Sequence, residues 1–89
     1  MMYIIYWLID FDNNKTYVGF TDDLKKRIAD HKYGKTKTTR KFKISKVYIL
    51  ERVETLELAR KREKYWKSAA GRRKLKEKFS KIMALSSNG

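Results

Sequence analysis

The run Tyr3 to Ile9, YIIYWLI, limits the fold more than any other feature of this chain, because every residue in it is aromatic or aliphatic. A continuous apolar run of this length, bounded by a polar turn, is typical of a strand covered on both faces. It is too short to cross a bilayer and lacks the cationic start of a signal peptide. We therefore expect helices on both sides of this strand, in a cytoplasmic protein that does not enter a membrane.

Two further strands are predicted downstream. Asp10 to Lys15 is rich in Asp and Asn, which tolerate left-handed conformations, so it predicts a turn into a second strand at Thr16 to Phe20. Residues 35–45 alternate basic with hydroxyl side chains without a regular period, which predicts a loop suited to phosphate contact. A third strand is expected at Lys46 to Glu51.

A first helix is predicted between the second and third strands. Thr21 is expected to cap it, with Asp22 and Asp23 in its first turn, near the positive end of the helix dipole. Gly34 is expected to stop this helix after about Lys32.

Two more helices complete the predicted order. One is expected from about Thr55 to Ala70, with Gly71 as the break, and the last from Arg72 to about Leu85. The last helix is amphipathic, with an apolar stripe formed by Leu75, Phe79, Ile82 and Met83. The predicted fold is α/β in the broad sense (α+β), with a three-stranded, mostly antiparallel sheet flanked by helices in the order β-β-α-β-α-α.

Length and composition restrict the class of protein. A chain of 89 residues has room for one domain with one modest core, so we expect a single domain over residues 1–89. Hydrophobic residues make up 42%, which argues against a disordered chain. The sequence contains no cysteine, which excludes a disulfide framework and a thiolate zinc site.

The net charge of +13 is concentrated after Gly34. Residues 1–34 hold five Lys or Arg and five Asp, whereas the remainder holds 18 Lys or Arg and five Glu. This asymmetry favours a nucleic-acid footprint, in which cations neutralise phosphates and binding depends on salt. The alternatives are a solvated basic surface and a basic helix on an anionic membrane.

Basic side chains lie on the inward stripe of the first predicted helix. Leu24 and Ile28 define this stripe, and at about 100° per residue Arg27 and His31 fall on or beside it. An inward guanidinium is costly unless it is paired or lines a cleft. Arg27 is therefore expected to pair with a carboxylate or to bind a ligand anion, unless it snorkels from the rim.

The second predicted helix carries a carboxylate on its apolar face. Glu63 lies at the centre of this face, whose other members are Leu56, Ala59, Trp66 and Ala70. It is expected either to form a structural ion pair with Arg27, Arg60 or Arg62, or to bind a metal ion.

These segments match a known family in order along the chain. Ile4-Ile5-Tyr6 precedes Thr16-Tyr17-Val18-Gly19, and the segments Thr21 to Arg27 (with His31) and Ala59 to Lys64 follow. Over about residues 2–75 the pattern resembles the GIY-YIG nuclease domain, particularly small stand-alone members similar to the nuclease domain of the UvrC repair protein. Ile4 stands where the motif has glycine and Val18 where it has isoleucine, and both replacements are apolar.

The resemblance implies a site and a reaction. Tyr6 and Tyr17 would flank the reacting water, and one of them would assist its deprotonation. Arg27 would neutralise the scissile phosphate, and His31 would serve as a hydrogen-bond partner or proton relay. Glu63 would hold one Mg²⁺ or Mn²⁺ ion against the leaving oxygen. These roles supply what phosphodiester hydrolysis needs at the nucleophile, the phosphoryl group and the leaving group.

A single metal ion fits the number of inward carboxylates. Two-metal nucleases need several converging acidic ligands, and only Glu63 is expected to point inward. Mg²⁺ can be held by one carboxylate, with water and substrate oxygens completing its shell. Zinc would need more ligands than one histidine offers.

The implied function is a metal-dependent endonuclease in repair or recombination that acts on nucleic acid, with DNA favoured over RNA and the choice between them left open. Contacts to the nucleic acid are expected from Lys35, Lys37, Arg40, Lys41, Lys43, Arg62, Lys64 and Lys67. The first alternative is a non-catalytic nucleic-acid-binding module, and the second is a basic adaptor that docks on an acidic protein. The sequence leaves open whether the protein forms a homodimer or binds a partner protein.

Overall fold

The three strands form one antiparallel sheet in the order β2-β1-β3. The structure is a computed structural model that describes residues 2–34 and 43–87, with side chains as far as Leu85. Its elements are β1 (Tyr3–Asp10), β2 (Lys15–Thr21), α1 (Leu24–Lys32), β3 (Lys46–Val53), α2 (Leu56–Lys67) and α3 (Ala69–Ser87). The predicted α+β class and order of elements are confirmed. Each strand is one or two residues longer than predicted.

β1 is the central strand, and its side chains are buried on both faces. Ile5 to Ile9 are at most 1% exposed. Alternate residues point to opposite faces of a sheet. On one face Ile5, Trp7 and Ile9 form the core together with residues of β2, α2 and α3, namely Val18, Ala59, Trp66 and Leu75. On the other face Tyr6 contacts α1, so the prediction of a strand covered on both sides is confirmed.

The turn between β1 and β2 is held by the buried carboxylate of Asp10. It accepts hydrogen bonds from the Asn13 backbone N–H at 3.2 Å, from Asn13 Nδ2 at 2.7 Å and from the Lys43 backbone N–H at 3.0 Å. These bonds, led by that of the Asn13 side chain, lower the pKa of Asp10. Asn14 adopts a φ of 53°, the left-handed conformation that Asn tolerates. Asp10 thereby joins the hairpin turn to the chain that enters β3.

The predicted start of α1 is wrong by two residues. Asp23 is the N-cap, and its Oδ1 accepts a hydrogen bond from the Lys26 backbone N–H at 3.1 Å. The Thr21 hydroxyl cannot reach the helix because it accepts the Asp23 N–H at 3.0 Å. Asp22 and Asp23 therefore precede the first turn, which contains no acidic residue. The end of α1 is as predicted, at Lys32, and Gly34 adopts a φ of 71°.

The break between the last two helices lies at Ser68, not at Gly71. Ser68 has extended backbone angles, φ −75° and ψ 171°, and its hydroxyl accepts the Gly71 N–H at 3.4 Å. Gly71 lies in the first turn of α3, where a Cβ atom would overlap the Tyr65 carbonyl oxygen and the Trp66 backbone. It permits close contact between the two helices. In the described part of the chain, no helix has the length and apolar character needed to cross a bilayer.

Candidate active site

Tyr6, Tyr17, Arg27 and His31 meet on the face of the sheet opposite the main core. The Tyr6 hydroxyl lies 3.0 Å from His31 Nε2, and Arg27 Nε donates to the Tyr6 oxygen at 3.4 Å. The Tyr17 ring is centred 6.3 Å from the Tyr6 ring and 5.2 Å from the His31 ring. Arg27 and His31 are four residues apart on α1, so they share one side of that helix. The prediction that both point toward the sheet is confirmed.

Gly19 makes room for this cluster. It pairs with Tyr6 across the two strands, and a Cβ atom at this position would overlap the Tyr6 hydroxyl. The same atom would lie 2.6 Å from Tyr6 Cζ and 3.0 Å from Tyr17 Cε1. In the sequence Gly19 has a place in a motif but no predicted role. A glycine inside a strand is the signal that marks such a close approach.

Burial sets the protonation of the buried pair. Burial raises the pKa of Tyr6, and the hydrogen bond from Arg27 opposes part of this rise. Burial, and then the Arg27 charge, lower the pKa of His31 below its ordinary 6.5. At neutral pH the imidazole is therefore uncharged and the phenol is protonated. Arg27 donates to the Tyr6 oxygen, and the direction of the bond between Tyr6 and His31 Nε2 is set by which ring nitrogen of His31 carries the proton.

The residues of the cluster differ in their access to solvent. Tyr6 and His31 are 0% and 1% exposed. Tyr17 and Arg27 are only partly buried. A substrate arriving from solvent would therefore meet Tyr17 and Arg27 before Tyr6.

Glu63 lies at the edge of this cluster and pairs with Lys67. Its Oε1 is 3.5 Å from Lys67 Nζ, one helical turn away on α2. Lys67 Nζ also lies 5.4 Å from the centre of the Tyr17 ring. Burial is the main cause of the raised pKa of Tyr6, and the negative charge of Glu63 adds a smaller increase, so its carboxylate is within electrostatic reach.

The partner of Glu63 differs from those predicted. The partners predicted from the sequence were Arg27, Arg60 or Arg62, and Lys67 was predicted only as a nucleic-acid contact. The Arg62 Nε–H instead donates to Glu51 Oε2 at 2.6 Å, and the Arg27 Nε–H donates to the Tyr6 oxygen. Lys67 takes the place beside Glu63 because residues four apart meet on a helix surface. The four-residue spacing of Glu63 and Lys67 can be read from the sequence. The sequence does not show which cation pairs with the Glu63 carboxylate.

The donor set fits a magnesium or manganese ion better than a softer metal. Across residues 2–34 and 43–87, no three His, Asp or Glu side chains gather into one cage. The Glu63 side chain is 25% exposed and offers hard carboxylate oxygens. One such carboxylate suffices for Mg²⁺, which keeps several waters and takes oxygens from a substrate phosphate.

The other predicted nucleic-acid contacts are dispersed. Lys43 Nζ pairs with Asp12 at 3.1 Å, and both side chains are exposed. Arg62 pairs with Glu51 and lies 4.5 Å from the centre of the Tyr65 ring. Lys64 is exposed on α2. Four predicted contacts, Lys35, Lys37, Arg40 and Lys41, lie outside the described residues.

Comparison with known proteins identifies the family. Residues 2–77 match the family model described as the GIY-YIG catalytic domain, which agrees with the resemblance noted from the motifs. Searches of curated proteins and of solved structures gave no significant match. GIY-YIG domains are nuclease domains that act on nucleic acid and generally use a divalent metal ion. The family match covers most of the chain, and this protein therefore belongs to the GIY-YIG family.

Proposed function

We propose that this protein is a metal-dependent endonuclease that hydrolyses phosphodiester bonds, in DNA rather than RNA, with one divalent ion. The observation that carries the proposal is the hydrogen-bonded series Arg27, Tyr6 and His31 beside the more accessible Tyr17. A buried tyrosine hydroxyl needs hydrogen-bond partners in any protein, and here they are a guanidinium, which can also bind a phosphate, and an uncharged imidazole, which can take up a proton. Such an arrangement suits proton transfer next to a phosphate.

Arg27 is the proposed phosphate ligand. Its guanidinium is partly buried, and one of its N–H groups holds the Tyr6 oxygen at 3.4 Å. Arginine has further N–H donors in a fixed planar arrangement, which suits a phosphate. A cation held in place before the reaction stabilises the charge that develops on the phosphoryl oxygens.

Tyr17 is the proposed contact to the attacking water. Lys67 Nζ lies 5.4 Å from the centre of the Tyr17 ring, and Arg27 belongs to the same cluster. Two cations thus lie near the position at which Tyr17 would contact the water and the phosphate. Tyr6 and His31 are buried, so we assign both to positioning Arg27 and Tyr17, and the uncharged His31 to accepting a proton within the cluster.

Glu63 is the proposed metal ligand. A divalent ion bound there would stabilise negative charge on the leaving oxygen of the phosphodiester. The carboxylate contacts Lys67, which lies on the side of α2 that approaches Tyr17.

The experiment is a nicking assay on supercoiled plasmid at low salt with Mg²⁺, with Mn²⁺ or with EDTA. The variants are Glu63→Gln and, as a control with the same change in charge, Glu77→Gln on the exposed side of α3. We expect metal-dependent nicking by the wild type and by Glu77→Gln, and its loss in Glu63→Gln. Salt-sensitive binding of plasmid without cleavage of DNA or RNA would favour the non-catalytic binding module.

A further inference from the structure

A cationic cleft lies beside Tyr17, at the junction of α2 and α3. Its volume is about 260 Å³. Its lining includes Thr16 and Tyr17 of β2, the cations Lys67 and Arg72, and the buried residues Trp66 and Leu75. None of the side chains that line it carries a negative charge. Its charge therefore suits an anion.

The junction of α2 and α3 fixes the backbone that carries the two cationic side chains. Lys67 is the last residue of α2, and Arg72 lies in the first turn of α3. The Arg72 backbone N–H donates to the Ser68 carbonyl at 2.8 Å, and Gly71 allows α3 to begin directly against the Trp66 backbone. The backbone between the two side chains is thus fixed, while their charged ends stay accessible to solvent.

We propose that this cleft binds a backbone phosphate of the substrate next to the scissile one, with Lys67 and Arg72 as its cationic ligands. The proposal rests on the proposed function, because the ligand is the same nucleic acid. Tyr17 belongs both to the cleft and to the cluster with Tyr6 and His31. A phosphate bound in the cleft would therefore fix the register of the strand relative to the reacting group.

Lys67 connects this cleft to the metal ligand. Its ammonium lies 3.5 Å from Glu63 Oε1, and the Lys67 side chain is 46% exposed. A phosphate bound in the cleft would compete for this ammonium, and Glu63 would then be available to hold a divalent cation.

The test is equilibrium binding of a short duplex DNA in EDTA, measured by fluorescence anisotropy between 50 and about 200 mM salt, a range in which phosphate contacts are resolved. The test variants are Lys67→Met and Arg72→Met. Lys61→Met and Arg73→Met are the controls, because they remove the same charge from the same helices outside the cleft. Circular dichroism checks folding, since all four side chains are exposed.

We expect the dependence of log affinity on log salt to become less steep in each test variant, by at most about 0.9 because Lys67 and Arg72 share one phosphate, and to change less in the controls. Slopes in Lys67→Met and Arg72→Met that match their controls would overturn the subsite, even if the wild type cleaves DNA. A less steep salt dependence in the test variants than in their controls, together with no cleavage by the wild type, would support the subsite and contradict the endonuclease. A wild type that binds no DNA would overturn both.

Discussion

Gly19 is the residue at which the geometry of the two tyrosines is most restricted. Because an added Cβ atom would overlap the Tyr6 hydroxyl, Gly19→Ala must displace Tyr6 from Arg27 and His31. We expect nicking activity to fall on the order of 100-fold, the cost of a displacement of about 1 Å in an active site. Gly34→Ala is the matched control.

Gly34 has a φ of 71°, so alanine there is strained by about 1 kcal/mol without touching the tyrosines. Gly34→Ala should lower the free energy of unfolding in urea and keep most of the activity. If Gly19→Ala is folded and as active as the wild type, the close contact between β2 and Tyr6 is not needed for the reaction.

His31 reports the electrostatics of the cluster and is the only histidine in the chain. Burial and the Arg27 charge lower its pKa, so an NMR titration should give a value below 6.5. Arg27→Met should raise that pKa toward the ordinary value, because one of the two main causes is removed. Lys32→Met, an exposed charge on the same helix, should leave it unchanged.

The same titration carries a prediction for activity. As pH falls through the pKa of His31, the imidazole gains a proton and can no longer accept one from Tyr6. Activity should therefore be retained at neutral pH and decline only as the pH falls through the lowered pKa of His31. A pKa of His31 at or above 6.5 would contradict an uncharged imidazole buried beside the Arg27 charge.

The positions of individual site residues follow from the sequence only in part. Helical spacing places Arg27 and His31 on one side of α1, and both contact Tyr6. Lys67 pairs with Glu63 because Arg62 and Arg27 are occupied by hydrogen bonds to other residues. Spacing on one helix cannot reveal this competition, because Glu51 belongs to β3.

The junction of α2 and α3 shows how tertiary contact can override helix propensity. Alanine normally favours a helix over glycine by about 1 kcal/mol. At Gly71, however, an added Cβ atom would overlap the Tyr65 carbonyl and the Trp66 backbone. We expect Gly71→Ala to lower the free energy of unfolding by about 1–3 kcal/mol, the usual cost of overpacking.

Urea denaturation provides the measurement, with Ala70→Gly as the control. Ala70 is exposed, so its replacement should cost no more than about 1 kcal/mol through propensity alone. A Gly71→Ala variant that is more stable than the wild type would mean that the two helices do not approach as closely as described.

The same junction explains why its boundary could not be read from the sequence. Gly71 is the usual sign of a helix end, and the apolar face continues from Trp66 to Leu75. The actual end depends on the Ser68 hydroxyl, which bonds to the Tyr65 carbonyl and to the Gly71 N–H. Serine is common in loops and helices alike, so only the packing of α3 selects it.

For the molecule as a whole, the order of strands and helices could be predicted because the period of the apolar residues changes clearly along the chain. The continuous run at β1 requires cover on both faces, and the structure supplies it. The distribution of charge is also plain in the sequence, since the excess of Lys and Arg lies after Gly34. The cleft beside Tyr17 is different, because it forms only where β2 meets the α2–α3 junction.

Removal of the Tyr17 hydroxyl tests the proposed hydrolysis most directly. The measurement is the single-turnover rate of plasmid nicking at saturating enzyme with Mn²⁺, comparing Tyr17→Phe with Tyr48→Phe. Tyr48 packs on Trp7 on the other face of the sheet, with ring centres 5.7 Å apart. Tyr48→Phe is the matched control because it also removes one phenol oxygen. We expect Tyr17→Phe to be slower by about 100-fold or more, a typical contribution of acid–base catalysis, and Tyr48→Phe to match the wild type. Equal rates in all three proteins would contradict the role of Tyr17 at the attacking water.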